Sequence, residues 1–169
     1  MSNLILILET DHLSIYSPKH TGESLSEFEK FLEINSQLSE KQLKLTFDAI
    51  VAAIDKMREV GARENLFRPE GGNIKAIPLF VKLPRKADRT IGTLRLYCIR
   101  ISDRILVIGN GGIKKVDSYQ QDTMLSACVD ELREIDRMIR RALRRQGVDP
   151  ENFEAVKKIL ETITFAEIV

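Results

Sequence analysis

The stretch LRLYCIRISDRILVIGNGGIKK, residues 94–115, sets two apolar runs on either side of a short polar break. If Ser102-Asp103 is a two-residue turn, Ile101 pairs with Arg104 and Arg100 with Ile105. One face then carries Tyr97, Ile99, Ile101, Leu106 and Ile108, and the other Leu94, Leu96, Cys98, Ile105 and Val107. Strands that are apolar on both faces have to be central, covered on at least one side and partly on the other. The chain must therefore build a sheet with helices laid over it. This register sends Arg100 and Arg104 to opposite faces, whereas a three-residue loop or a bulge would change the relation, and both alternatives stand at this level. Asn110-Gly111 reads as a tight turn leaving the second strand. Lys114 and Lys115 then bring basic groups to one edge of the sheet.

The flanking segments supply the rest of such a fold. LILIL at 4–8 and LSIYS at 13–17 read as short strands around the polar ETDH, in the manner of a hairpin. Ser24 with Glu27 and Ser39 with Gln42 have the spacing of capping boxes. Leu43, Phe47, Ile50, Ile54 and Met57 form a helical stripe that Gly61 is placed to end. RPEGGN reads as a turn or loop, IKAIPLFVKL as a strand interrupted by Pro78, and PRKADRT as a basic loop. Asp117 or Ser118 can cap a long helix with the stripe Leu125, Val129, Leu132, Ile135, Ile139 and Leu143. Its other side holds Arg133, Arg137, Arg140, Arg141, Arg144 and Arg145. Acids within three or four residues make a salt-bridged solvent face for Arg133 and Arg137, whereas RRALRR contains none and is free for phosphate. Gly147 ends this helix and Asp149-Pro150 starts another, which either packs on the domain or serves a partner. The expected organisation is one α/β domain over 1–146 with an accessory C-terminal helix over 147–169.

Charge is distributed unevenly. The net is +1, yet residues 76–115 hold nine Lys and Arg against two acids. Residues 1–75 hold nine against twelve, and residues 116–169 eight against eleven. A basic block between acidic flanks is the footprint of an anionic partner such as RNA, unless the flanks fold back and neutralise it. No apolar run approaches the ~20 residues of a membrane span. The start meets Glu9 and Asp11 without a basic region before them, so no signal peptide is expected and the chain reads as a cytoplasmic protein. Cys98 and Cys128, each in an apolar segment and without a CxxC neighbour, read as buried free thiols.

Several chemistries are poorly supplied. His12 and His20 lie eight apart with no cysteine nearby, so no zinc site is expected. Two histidines leave little for a Ser-His-Asp or Cys-His arrangement. GNGGIKK lacks the frame of a phosphate-binding loop. Arg, Lys, Tyr and carboxylates remain, an inventory that suits cofactor-free and metal-free RNA cleavage. There the ribose 2′-OH is the nucleophile and cations stabilise charge growing on the phosphate.

The order AIDKMREVG (53–61), LRLYCIRIS (94–102), DRILVIGNGG (103–112) and IKK (113–115) resembles the RelE/HigB superfamily of toxin–antitoxin proteins, including phage-derived HigB relatives. In that family a first strand and two helices precede a curved antiparallel sheet. The resemblance implies a RelE-like α+β fold with added C-terminal helices, acting in ribosome-dependent mRNA cleavage. Arg100 corresponds to the arginine of the first strand motif, Arg104 to that of the second, and Lys114 and Lys115 to the basic pair. Tyr119 is the candidate acid or base. Lys82, Arg85, Lys86, Arg89 and Arg95 would contact RNA. The partners implied are RNA and the ribosome, together with an antitoxin protein; a non-catalytic protein of the same fold would act instead through self-association or another protein. Members of that family are usually shorter and basic throughout, whereas this chain is near neutral.

Overall fold

The computed structural model describes residues 2–83, 90–115 and 122–165. Its first two strands, β1 (Ser2–Glu9) and β2 (Ser14–Lys19), pair as the expected hairpin, with an irregularity between Leu6 and Leu8. Two helices follow, α1 (Glu27–Asn35) and α2 (Lys41–Val60), each starting one or two residues away from where the capping spacing put it. Ser26, not Ser24, caps α1: its hydroxyl accepts from the Glu29 amide while the Glu29 carboxylate accepts from the Ser26 amide. Glu40 caps α2 by accepting from the Leu43 amide at 2.9 Å. Gln42, read from sequence as the partner of Ser39, instead donates to the Gly92 carbonyl at 2.8 Å. At α1 two Ser/Glu pairs, 24/27 and 26/29, share the right spacing and packing selects the second; at α2 the Glu40 carboxylate takes the cap while Gln42 is drawn to the strand-entry turn. Gly61 ends α2 as expected, with φ +90°.

β3 (Arg68–Pro69) and β4 (Ile74–Ile77) enclose the Gly71-Gly72 turn, and β4 stops at Pro78. β5 (Thr93–Ser102) and β6 (Ile105–Lys114) form the centre of a seven-stranded sheet of order β3-β4-β5-β6-β2-β1-β7. All pairs are antiparallel except β2 with β6, where Tyr16 lies opposite Val107. The β5–β6 turn falls at Asp103-Arg104, one residue later than the sequence reading, since Ser102 pairs with Ile105 and Arg100 with Leu106. Moving a two-residue turn by one position shifts the pairing by two and keeps the faces; the extra β5 residue between Arg100 and Ser102 makes the net shift one, and that exchanges the faces of the strand. Ile105 and Val107 accordingly join Tyr97, Ile99 and Ile101, while Leu106 and Ile108 join Leu94, Leu96 and Cys98. Asn110-Gly111 is no exit turn either; both residues lie inside β6. Between Cys98↔Ile108 and Leu96↔Gly111 that strand carries one extra residue. A Cβ on Gly111 would stand 1.8 Å from the Arg95 carbonyl oxygen, so the close approach of β5 requires glycine there.

The second helical layer begins with α3 (Thr123–Gln146), capped by the Asp122 carboxylate; Asp117 and Ser118, the caps read from sequence, lie outside the described residues. All six stripe residues from Leu125 to Leu143 are buried. Gly147, at φ +63°, ends the helix, and the Val148 amide donates back to the Leu143 carbonyl. α4 (Phe153–Thr162) is capped by Asn152 rather than Asp149, whose carboxylate turns the chain by accepting from the Glu151 amide. Val156, Ile159 and Leu160 then enter the core, and β7 (Thr164–Phe165) pairs with Ser2 and Asn3 of β1. The C-terminal helix is thus packed on the domain. The result is a mixed α/β architecture: α1 and α2 cover one face of the sheet, α3 and α4 the other. Among the described residues no helix is long and apolar enough to cross a membrane.

Candidate functional site

The four basic residues expected to work together are divided between the two ends of the sheet. Arg100 pairs with Leu106 near the β5–β6 turn, and Lys114 lies eight residues further along β6, about 25 Å away at the ~3.2 Å per residue of a twisted strand. Arg100 is also occupied. Its Nε donates to the Ala62 carbonyl at 2.6 Å and its Nη2 to the Asp103 carboxylate, which fastens the end of α2 to the turn. Arg104 points the other way, its guanidinium 3.7 Å from the centroid of the Phe153 ring at the start of α4. The two arginines therefore serve opposite helical layers. Tyr119 lies outside the described residues.

Other cations lie toward the opposite end of β5 and β6. Lys114 lies opposite Thr93 and Arg95 opposite Gly112. Lys82, before β5, and Lys115, after β6, are exposed. Among the described residues, Lys82, Lys114 and Lys115 close no ion pair, whereas Arg100, Arg133, Arg137 and Arg140 each have an acidic partner. Glu70 is the acid nearest in influence: burial raises its carboxyl above the usual range, and Lys114 and Arg68 pull it back. Arg85, Lys86 and Arg89 lie outside the described residues, in the stretch joining β4 to β5. On α3, Arg133 and Arg137 are salt-bridged as expected, to Asp130 and Glu134. RRALRR splits. Arg140 is held by Asp136 at 3.1 Å, while Arg141, Arg144 and Arg145 are exposed.

A third grouping was not legible from spacing. His20, just after β2, Glu27 in the first turn of α1, and Glu131 in α3 meet at one point, with side chains 11–15 % exposed. His20 Nε2 lies 3.1 Å from Glu131 Oε2 and 3.4 Å from Glu27 Oε1, and its Nδ1 is 2.8 Å from the Ser2 hydroxyl. Burial pushes the Glu131 carboxyl up, opposed by His20. The three offer one ligand atom each within 4.8 Å of one another, the only such trio among the described residues. The sequence reading considered only the two histidines, and Glu131 is more than a hundred residues from His20; a cap at Ser26, which brings Glu27 to the start of α1, was the one local signal. Comparison with protein families, with curated proteins and with solved structures finds no match for this chain.

Proposed function

We propose that this protein binds an RNA backbone at the sheet end formed by Lys82, Arg95, Lys114 and Lys115, as a RelE/HigB-like protein acting on mRNA would. The observation that supports this most directly is the unequal use of cations. Arg100 and, along α3, Arg133, Arg137 and Arg140 are committed to acids or to a backbone carbonyl, while Lys82, Lys114 and Lys115, like Arg141, Arg144 and Arg145, close no ion pair among the described residues. Unpaired ammonium groups at and beside a strand end are the kind of group that takes phosphate and releases its counterions. The order of two helices followed by paired strands agrees with the same reading. It is a reading of binding: cleavage by Arg100, Arg104, Lys114 and Lys115 acting on one phosphate is not favoured by their ~25 Å separation.

Fluorescence anisotropy with single-stranded RNA over a range of salt tests the proposal. Each lost phosphate contact lowers the slope of log K against log salt by about 0.7, so Lys114→Ala/Lys115→Ala should lower it by about 1.4. An unchanged slope and affinity would sink the idea. Primer extension in a translation mixture is the companion assay, and ribosome-dependent cuts lost in the same variant would restore the catalytic reading. One observation favours a second function. Leu79 and Phe80, just after β4, are 47 % and 77 % exposed, an apolar pair suited to a protein partner or a second copy. Light scattering at increasing concentration, with Phe80→Ser beside wild type, tests the second copy; a monomer throughout removes it.

A further inference from the structure

The meeting of His20, Glu27 and Glu131 has the dimensions of a metal centre. A cation held at ~2.0–2.1 Å by tetrahedrally placed ligands keeps those ligands roughly 3.3 Å apart. The two edges from His20 Nε2, 3.1 and 3.4 Å, bracket that value. Support for the imidazole is in place as well. Ser2 Oγ engages Nδ1, which leaves Nε2 to face both carboxylates, the outer arrangement that metal-bound histidines typically have. The Phe165 ring stands edge-on to the imidazole at 6.1 Å and limits its rotation.

Charge points the same way. Lys30 pairs with Glu23 and, at 2.9 Å, with Glu27 Oε2, the oxygen turned away from His20. Glu27 Oε1 and Glu131 Oε2 remain directed at the imidazole. Three carboxylates and one ammonium leave two negative charges around the imidazole, in surroundings only 11–15 % exposed at the three candidate ligands. One dication would neutralise them.

The geometry points to a divalent-cation site in which His20 Nε2, Glu27 and Glu131 are the protein ligands and water completes the shell. An imidazole with only two carboxylates suits Zn²⁺ and similar borderline cations, whereas Mg²⁺ and Ca²⁺ call for an all-oxygen shell. Such an ion would join β2, α1 and α3, and so tie together helices that cover opposite faces of the sheet. The inference is independent of RNA binding.

The experiment is isothermal titration of EDTA-dialysed protein with ZnCl₂, beside His20→Gln, Glu131→Gln and the exposed control His12→Gln. One equivalent should bind to wild type and to His12→Gln, and both ligand variants should weaken it by about 100-fold. Glu131→Gln is isosteric and keeps an oxygen toward His20, so it serves if His20→Gln does not fold. The midpoint of thermal unfolding of wild type should also rise in Zn²⁺ relative to EDTA. Absence of one-equivalent binding, equal affinity in wild type and Glu131→Gln, or an unmoved midpoint would overturn the site.

Discussion

Replacing Arg100 separates a structural arginine from an RNA-binding one. Its Nε donates to the carbonyl of Ala62, a residue with no exposure, directly after the end of α2. Arg100→Ala leaves that acceptor without the charged donor. Losing a hydrogen bond to a charged group costs about 1.5–3 kcal/mol, and an unsatisfied buried acceptor about 1–3 kcal/mol, two views of the same loss. The ion pair with Asp103 adds little, because the Asp103 side chain is 59 % exposed and such pairs contribute roughly 0–1 kcal/mol. The expected destabilisation is about 2 kcal/mol. At ~2–4 °C per kcal/mol for a chain of this size, Tm should fall by about 4–8 °C. Arg100→Lys should recover little, since a lysine has no Nε in the plane of the guanidinium fork. Asp103→Asn should stay within about 1 kcal/mol of wild type. Thermal and urea unfolding measure these values, and RNA anisotropy runs in parallel at a temperature where each variant is folded. Arg100→Ala with wild-type Tm and lost RNA binding would refute the structural assignment of this side chain.

Three further outcomes follow from the packing and the titrating groups. Gly111→Ala forces a Cβ to within 1.8 Å of the Arg95 carbonyl oxygen and should cost about 3 kcal/mol or more, read as a lower urea midpoint; an unchanged midpoint would contradict the β5–β6 approach. Burial, with Glu161 and Glu9 nearby, raises the Tyr16 phenol well above its usual value, so the folded state disfavours phenolate. An acid raised on folding contributes a loss of stability as pH climbs past its unfolded value of about 10, so Tyr16→Phe should lose less stability than wild type above that pH, measured by urea unfolding at several alkaline pH values. Burial pushes the Cys128 thiol up to about 12 and raises Cys98 as well, and neither forms a disulfide. Cys98 is buried and Cys128 half-buried, so Ellman's reagent at neutral pH should react slowly with the native protein and find two thiols after denaturation; fast reaction of both in the native protein would disprove this protection.

The parts of the fold that sequence revealed are those governed by local periodicity. The α2 and α3 stripes, the β1–β2 hairpin, the doubly apolar β5 and β6, and the stops at Gly61 and Gly147 all depend on neighbours within a turn or a strand. What could not be read was register. The extra β5 residue between Arg100 and Ser102 decides which face of β6 meets α3, and no local signal marks it; with it in place Ile105 and Val107 join the α3 side. Asn110-Gly111 looked like a turn because the same residues also suit a bulge. The parallel pairing of β2 with β6 has no local signature, and with it goes the position of His20. For the same reason the basic block, a single run in sequence, separates into two ends once ten-residue strands lay it out in space.

The outermost strands, β3 and β7, are only two residues long, while the strands at the centre have ten. A free strand edge is a template on which another chain can add, and aggregation usually begins there. On one side β7 covers just Ser2 and Asn3 of β1, and Lys157 of α4 holds Glu9 at the far end of the same strand. The last helix and its short strand therefore guard the border of the sheet. A chain cut after Gly147 would expose β1 along its whole length, together with the apolar surface that Val156 and Leu160 cover, and its characteristic fate would be self-assembly into larger particles.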